Sequence, residues 1–243
     1  MLISGHFIAA DRHRVYYDYY KNGNDRLIII AHGFFNSKQA LLLKELGESL
    51  AREFDVILFD FRGHGESKGF FHWTTKEYLD LLAVIDYAKE HYKKIGVIGF
   101  SLGAATSIIT ATKTDLINSL IAVSAPTDFG KIDYQFWKFD VENDLIYGLI
   151  GKGLTGKGAR PGPFWQKKEK PLDIVPSIKV PILYIHGDSD WIIHHRHSEE
   201  LYKKTASTKR LHIVKQGPHA EYLLRKNREE MLELIRDWFQ NTL

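Results

Sequence analysis

Lys94-Ile-Gly-Val-Ile-Gly-Phe-Ser101-Leu-Gly-Ala-Ala-Thr-Ser-Ile-Ile-Thr-Ala-Thr112 is the stretch whose reading decides the fold. Ile95 to Ile98 is a short apolar run rich in β-branched residues, the pattern of a buried strand. It runs into Gly99-Phe100-Ser101-Leu102-Gly103. Small residues and a periodic apolar face (Ala104, Ala105, Ile108, Ile109) follow and predict a helix. Strand, Gly-x-Ser-x-Gly and helix, in that order, form the setting in which a tight turn lifts a serine Oγ above a strand end. Glycines flank the serine because side chains there would collide with the adjoining strand and helix. The helix start also places the positive end of its dipole beside the hydroxyl. Such a serine needs a base, an orienting acid and oxyanion donors from the rest of the chain.

Moving outward, buried-strand patterns recur at Leu27–Ala31, Val56–Phe59, Leu120–Ser124, Val180–His186 and Arg210–Val214, with helical patterns between them. Strands alternating with helices imply crossover units and a mainly parallel sheet with helices on both faces. Phe7–Ala9 and Arg14–Tyr20 predict a hairpin, the latter as a half-buried antiparallel edge. Thr74-Thr75-Lys76-Glu77 matches a capping box. Ala220 to about Asn241 is expected to be one amphipathic terminal helix. In Asp60-Phe61-Arg62-Gly63-His64-Gly65-Glu66-Ser67 the expected role is structural, with an Asp60–Arg62 polar bracket and His64 as a loop histidine. The loop lacks the third glycine of a dinucleotide site. His194-His195-Arg196-His197 is expected to be a solvated helix start, not a metal site.

In a parallel sheet, sites gather at the carboxyl ends of the strands. His32-Gly33-Phe34 stands at one such end, and the Phe34 N–H is a candidate oxyanion donor. His219, in the loop after the last strand, is the best-placed base of twelve histidines. Asp188 or Asp190, past the preceding strand, could hold its imidazole; spacing alone leaves the choice open. Thr127 to Ile178 breaks the rhythm and is aromatic-rich, which predicts a cap inserted over the strand ends at 127–178 of a single domain spanning 1–243. Asp140 to Ile150 is its expected helix. Phe35, Phe70, Trp137 and Trp191 are the expected substrate-pocket residues.

Composition narrows the alternatives. The chain has 243 residues, a net charge of +3 and no cysteine. No basic run supports nucleic-acid binding, and disulfide, thiolate and Cys-metal chemistry are excluded. No apolar run approaches membrane-spanning length. Met1–His6 lacks the pattern of a signal peptide, so a cytoplasmic protein is expected. No metal or organic cofactor is called for. The expected partner is a small-molecule ester; homodimerisation is left open.

These motifs together resemble the α/β-hydrolases, nearest to the esterase and monoacylglycerol-lipase-like serine hydrolases. The matching stretches are His32-Gly33-Phe34, Asp60–Ser67, Gly99–Gly103, Gly187-Asp188-Ser189-Asp190 and Gly217-Pro218-His219. The resemblance implies Ser101 as nucleophile, Asp190 as acid and His219 as base, with the Phe34 and Leu102 N–H groups as oxyanion donors. Two departures are Phe100 before the serine, where a histidine is common, and Gly-Pro-His in place of Gly-x-Gly-His. The implied activity is hydrolysis of carboxylic esters of small to medium apolar acyl or aryl groups. Alternatives with the same triad are a thioesterase or an amidase or aminopeptidase. An aminopeptidase would need acids near the cap, where Asp133, Asp140, Glu142 and Asp144 stand. A non-catalytic ligand-binding module is the alternative from another class.

Overall fold

A computed structural model describes residues 1–129, 159–163 and 165–243. In chain order, β1 (Leu2–Ile8), β2 (Arg14–Tyr20) and β3 (Arg26–Ala31) lead to α1 (Leu41–Leu50). Next come β4 (Asp55–Phe59), α2 (Glu77–Ala88), β5 (Lys94–Phe100), α3 (Leu102–Ala111) and β6 (Ser119–Val123). The described chain then continues with α4 (Pro171–Ile174), β7 (Ile182–Gly187), α5 (Arg196–Lys204), β8 (Lys209–Val214), α6 (Leu223–Lys226) and α7 (Arg228–Thr242).

The strands form one sheet in the order β1-β2-β4-β3-β5-β6-β7-β8. β2 pairs antiparallel with β1 and β4, and the other pairings in the described sheet are parallel. This is the α/β architecture expected from the alternation of strand and helix. The period of two along β3 divides the core. Leu27, Ile29 and Ala31 face a layer containing Leu81, Val84 and Ile85 of α2 and Ala104 and Ile108 of α3. Ile28 and Ile30 face α1 and α7 through Leu42, Leu46, Ile235 and Phe239. Each fully buried aliphatic side chain contributes about 1.5–3 kcal/mol, so both faces hold the sheet rigid beneath its loops.

Four local expectations are corrected. β2 is not the edge, because β1 starts at Leu2 rather than Phe7 and covers it along its full length. Ser4 and Gly5 hide that strand from a propensity reading, and pairing overrides propensity. The Thr74–Glu77 capping box does not form. Thr74 adopts φ 77°, Thr75 Oγ1 donates to the His72 carbonyl at 2.8 Å, and Glu77 Oε1 accepts the His72 amide at 2.7 Å. These groups close the loop ahead of α2 instead. The terminal helix is broken at Asn227 (φ −123°, ψ 41°) and preceded by a 3₁₀ turn, Ala220–Tyr222; the apolar stripe continues across the break and conceals it. The Asp60–Arg62 bracket is also absent. Arg62 instead pairs with Asp80 and Asp11, each at 2.6 Å. Asp60 accepts the amides of Lys38 (2.7 Å) and Glu66 (2.8 Å).

Of the expected cap at 127–178, residues 130–158 and 164 lie outside the described residues, including Trp137, the helix expected at 140–150 and the four acids named above. The stretch 159–163 is laced to the loop after β4. Arg160 N–H donates to Gly63 O (2.8 Å), Phe71 N–H to Arg160 O (2.8 Å) and Gly162 N–H to Phe71 O (2.7 Å). The Arg160 guanidinium adds bonds to Ser67 O (2.6 Å) and Gly69 O (3.2 Å). Among the described residues, no helix is long and apolar enough to cross a membrane.

Candidate active site

Ser101 occupies the turn between β5 and α3 with φ 51° and ψ −108°. The turn explains both of its glycines. A Cβ on Gly99 would lie 2.4 Å from Gly103 O, and one on Gly103 would lie 2.1 Å from Ala31 O. Helix α3 is thereby packed onto the ends of β3 and β5, and Ser101 is held above them. Leu102 is the first residue of α3, where amides have no intrahelical acceptor. Its N–H follows Ser101 directly in the chain.

The turn after β3 comes against this serine from the other side. The position of a Cβ on Gly33 would be 3.5 Å from Ser101 Cβ and 3.3 Å from Phe100 O. Buried His32 fixes the turn. Its Nδ1–H donates to Gly33 O at 2.7 Å, and its Nε2 accepts the Phe61 amide at 3.0 Å. Burial, followed by the neighbouring His64, holds the His32 pKa well below the ordinary imidazole range, so the ring stays neutral. The Phe34 ring packs against Phe35, His64, Phe71 and Trp73. His64 is itself buried, with Nδ1–H donating to Arg62 O at 3.1 Å.

The loops after β7 and β8 bring an acid to a histidine. Asp190, 1% exposed, takes the amides of Ile192 (2.9 Å) and Ile193 (2.8 Å) on Oδ1. Its Oδ2 accepts His219 Nδ1–H at 2.7 Å. His186 Nε2 lies 3.2 Å from the same oxygen and 2.9 Å from Ile193 O. Both neighbours are acceptors, so this nitrogen carries the proton. Burial alone would raise the Asp190 pKa, but His219 and His186 outweigh it and hold the carboxyl far below its usual range. Asp188, the alternative acid, is half-buried, and its Oδ1 accepts Ser189 Oγ–H at 3.1 Å. The two loops touch, with the Ser189 amide donating to Gly217 O at 3.0 Å. Ser124, at the end of β6, accepts the Ala220 amide at 3.0 Å and steadies the residue after His219. With Nδ1 committed to Asp190, Nε2 is the basic nitrogen of His219.

Ser101 and His219 line one cavity of about 310 Å³, at the small end of ligand-binding volumes. Phe34, Phe35, Phe71, Trp73, Phe129, Ile192 and Ile193 make its walls mainly apolar, with Gly33, Glu221 and Tyr222 completing it. Of the expected pocket residues, Phe35 is present. Phe70 is not: it is 60% exposed and lines a separate groove with Gly65, Glu66 and Arg160. Its neighbours Phe71 and Trp73 face the cavity instead. Ile192 and Ile193, not Trp191, supply the wall from the acid's loop. His197, expected to be solvated, is buried with Nδ1 accepting from Thr127 N–H (3.2 Å) and 2.7 Å from Thr127 Oγ1. Burial lowers its pKa to about 4.

Sequence reasoning missed Glu221, Asn36 and His186. The position of Glu221, two residues past the candidate base, was the available signal. Another regularity had a signal only at Ser101, whose tight strand-to-helix turn implies strain: Phe35, Ser101, Ser124, Gln216 and Ala220 all have φ between 47° and 58°. Non-glycine residues in this region cost on the order of 1–3 kcal/mol each, and these five stand in loops at the carboxyl edge of the sheet.

The sequence model of the family described as "alpha/beta hydrolase fold" matches residues 26–145, and that of "Serine aminopeptidase, S33" matches residues 168–223. The chain has the α/β-hydrolase fold. An uncharacterized protein of Bacillus subtilis, YqkD, is 29% identical over 88% of this chain and 71% of its own. The human serine hydrolase BPHL is 24% identical over 89% of this chain and 80% of its own. The Pyrococcus furiosus esterase Pf2001 superposes with a TM-score of 0.80 at 23% identity, covering 100% of this chain and 93% of its own. A thermophilic esterase from Thermogutta terrifontis gives 0.76 at 17% identity, covering 100% of this chain and 99% of its own. At these identities the structural likenesses establish the superfamily fold alone.

Proposed function

We propose that this α/β-hydrolase is a serine esterase acting on carboxylic esters with small to medium apolar acyl or aryl groups. One observation carries the reading. A serine on a strained strand-to-helix turn shares an apolar cavity with a histidine whose Nδ1 proton is held by a buried carboxylate. The relatives' names as serine hydrolase and esterase agree with it.

In this mechanism Ser101 Oγ attacks the ester carbonyl while His219 Nε2 takes its proton. The Phe34 and Leu102 amides receive the developing oxyanion, each worth ~3–4 kcal/mol by analogy with other enzymes. Asp190 stabilises the imidazolium and keeps the proton on Nδ1. The imidazolium protonates the leaving alkoxide, and the alcohol departs. His219 then activates a water that attacks the acyl-enzyme, releasing the acid and restoring Ser101. Phe35, Phe71, Trp73 and Phe129 exclude water around the acyl group.

The test is hydrolysis of p-nitrophenyl esters from acetate to palmitate by the wild type and Ser101→Ala. Turnover should peak at a short to medium chain and vanish in the variant. Equal turnover by both proteins, or a folded wild type inactive on every ester and unlabelled by a fluorophosphonate, would overturn the reading.

A further inference from the structure

Two imidazoles meet at one oxygen of Asp190, and the mechanism above uses only one of them. His219 Nδ1–H reaches Oδ2 at 2.7 Å. His186, near the end of β7, brings its Nε2 to within 3.2 Å of the same oxygen. His186 and Asp190 are 0% and 1% exposed, so solvent and salt screen this contact little. His186 is itself held in place. Its Nε2–H is shared with Ile193 O at 2.9 Å, and Ile193 lines the cavity. Its Nδ1 lies 2.7 Å from Oγ of Ser198, in the first turn of α5. With the proton on Nε2, Nδ1 accepts from that hydroxyl, and the hydroxyl fixes the tautomer.

This sharing has a consequence for the base. Asp190 is surrounded by the Ile192 and Ile193 amides on Oδ1 and by two imidazole N–H groups on Oδ2. Each donor draws charge from the carboxylate and stabilises its ionised form. Charge drawn toward His186 is not available to the imidazolium that His219 becomes when it takes the Ser101 proton. With His219 as its only imidazole partner, Asp190 would hold that cation more firmly, and His219 would release its proton only at higher pH.

We propose that His186 is a positioning residue that holds Asp190 Oδ2 from the strand side and weakens its grip on protonated His219, so that His219 stays a free base in mildly acidic solution. Ser198 keeps the His186 proton on Nε2 and is part of the same arrangement. The inference rests on the serine-hydrolase reading of Ser101, Asp190 and His219, and adds what sets the pH range of the base.

Other charged and titratable groups stand nearby. From α5, His197 interacts with His186 and has His194, Arg196 and Glu200 around it; burial holds His197 near pKa 4, so it stays neutral where His219 titrates. Glu221, which accepts from Asn36 Nδ2, lines the cavity with His219. On the flanking strands, Ile213 of β8 stands beside His186, and Ser124 follows β6 beside Ile185. All of these are common to the wild type and the variants below, so the comparison isolates His186.

The experiment measures kcat/KM for p-nitrophenyl butyrate from about pH 4 to pH 9, where the acid limb reports the free base. His186→Leu should move that limb upward by about 0.5–1 pH unit and leave the plateau within about threefold. His186→Gln can offer an amide N–H where Nε2 stood and should return the limb to its wild-type position. A residue that merely packed against Asp190 would act in the opposite sense, because a loosened Asp190–His219 contact lowers the limb. An unmoved or lowered limb in His186→Leu, or a Gln variant that behaves as the Leu variant does, would overturn the proposal. Ser198→Ala leaves the β7 core intact and should raise the limb by a smaller amount; a limb that stays or falls there counts equally against it. Proton NMR reads the same competition without turnover. The His219 Nδ1 proton should move downfield in His186→Leu as its bond to Oδ2 strengthens, and an unchanged or upfield resonance would refute the sharing. A wild type inactive on the ester and unlabelled by a fluorophosphonate would instead count against the hydrolase reading, with the NMR shift still deciding the role of His186.

Discussion

His219 Nδ1 donates to Asp190 Oδ2 at 2.7 Å, across 29 residues of chain. Asp190 stands two residues beyond Asp188, and the difference is one of burial and of what the backbone offers. The loop after β7 turns so that the Ile192 and Ile193 amides grip Asp190 Oδ1, which leaves Oδ2 aimed at the imidazole. Asp188 stays half-buried at the strand end.

Asp190→Asn should therefore lower kcat for ester hydrolysis by about 10⁴, the loss seen when an amide replaces the acid of a serine protease triad. Asp188→Asn should leave it within roughly twofold, as for a substitution outside the site. Steady-state kinetics on one p-nitrophenyl ester separates the two. Equal losses would remove the distinction between the aspartates.

The close approach at Gly103 makes a stability prediction. A methyl there would meet Ala31 O at 2.1 Å, and neither backbone can yield without moving α3 off the sheet. Gly103→Ala should destabilise by roughly 3 kcal/mol or more. At Gly33 the nearest atom is 3.3 Å away, so Gly33→Ala should cost about 1 kcal/mol. Its methyl intrudes beside Ser101, however, and kcat/KM should fall at least about tenfold. Urea unfolding together with kinetics measures both effects.

Glu77 couples the pocket wall to pH. Burial raises its pKa from 4.5 to about 7 in the fold. A carboxyl with a raised folded pKa contributes stability below its unfolded pKa and loses it as pH climbs through the folded value. Glu77→Gln, which keeps an oxygen for the His72 amide, removes that dependence. Relative to wild type, the variant should gain on the order of 3 kcal/mol between about pH 4 and pH 8. Denaturant midpoints at the two pH values test the sign, and a gain on acidification would refute it.

Arg160 ties the stretch 159–163 to Ser67 O and Gly69 O, behind the loop that carries Phe71 and Trp73. Arg160→Ala should loosen this wall without touching Ser101 or His219. KM for an apolar ester should then rise several-fold while kcat changes by less than about twofold. A fall confined to kcat would show that the clamp acts on the reacting groups instead.

The sheet and the main candidate residues were legible because they rest on strong local patterns. Leu27–Ala31 and Ile95–Ile98 are continuous apolar runs, which only strands buried on both faces tolerate. Gly99, Ser101 and Gly103 share one turn, in which Gly99 is fixed by its approach to Gly103 O and Gly103 by its approach to Ala31 O of β3. The pocket walls were not legible in the same way. Phe70 and Phe71 are adjacent and chemically identical, and which of them faces the cavity is decided by a backbone bond to Arg160, 89 residues on. Glu77 looked like a capping residue because sequence spacing does not reveal that Thr74 has a positive φ. Glu221 passed as one more polar residue of an amphipathic stretch, since the 3₁₀ turn that brings it to the cavity leaves no mark on the apolar periodicity.

The backbone strain at Phe35, Ser101, Ser124, Gln216 and Ala220 sets selection for heat resistance against selection for turnover. Exchanging Phe35, Gln216 or Ala220 for glycine would relax a left-handed residue and also loosen a loop that carries Phe34 or His219 against its neighbours. A screen that scores only survival at high temperature should collect its gains along this edge and return variants that are sturdier and slower. Useful thermostabilising changes belong on the opposite, amino-terminal edge of the sheet, where none of these loops is anchored.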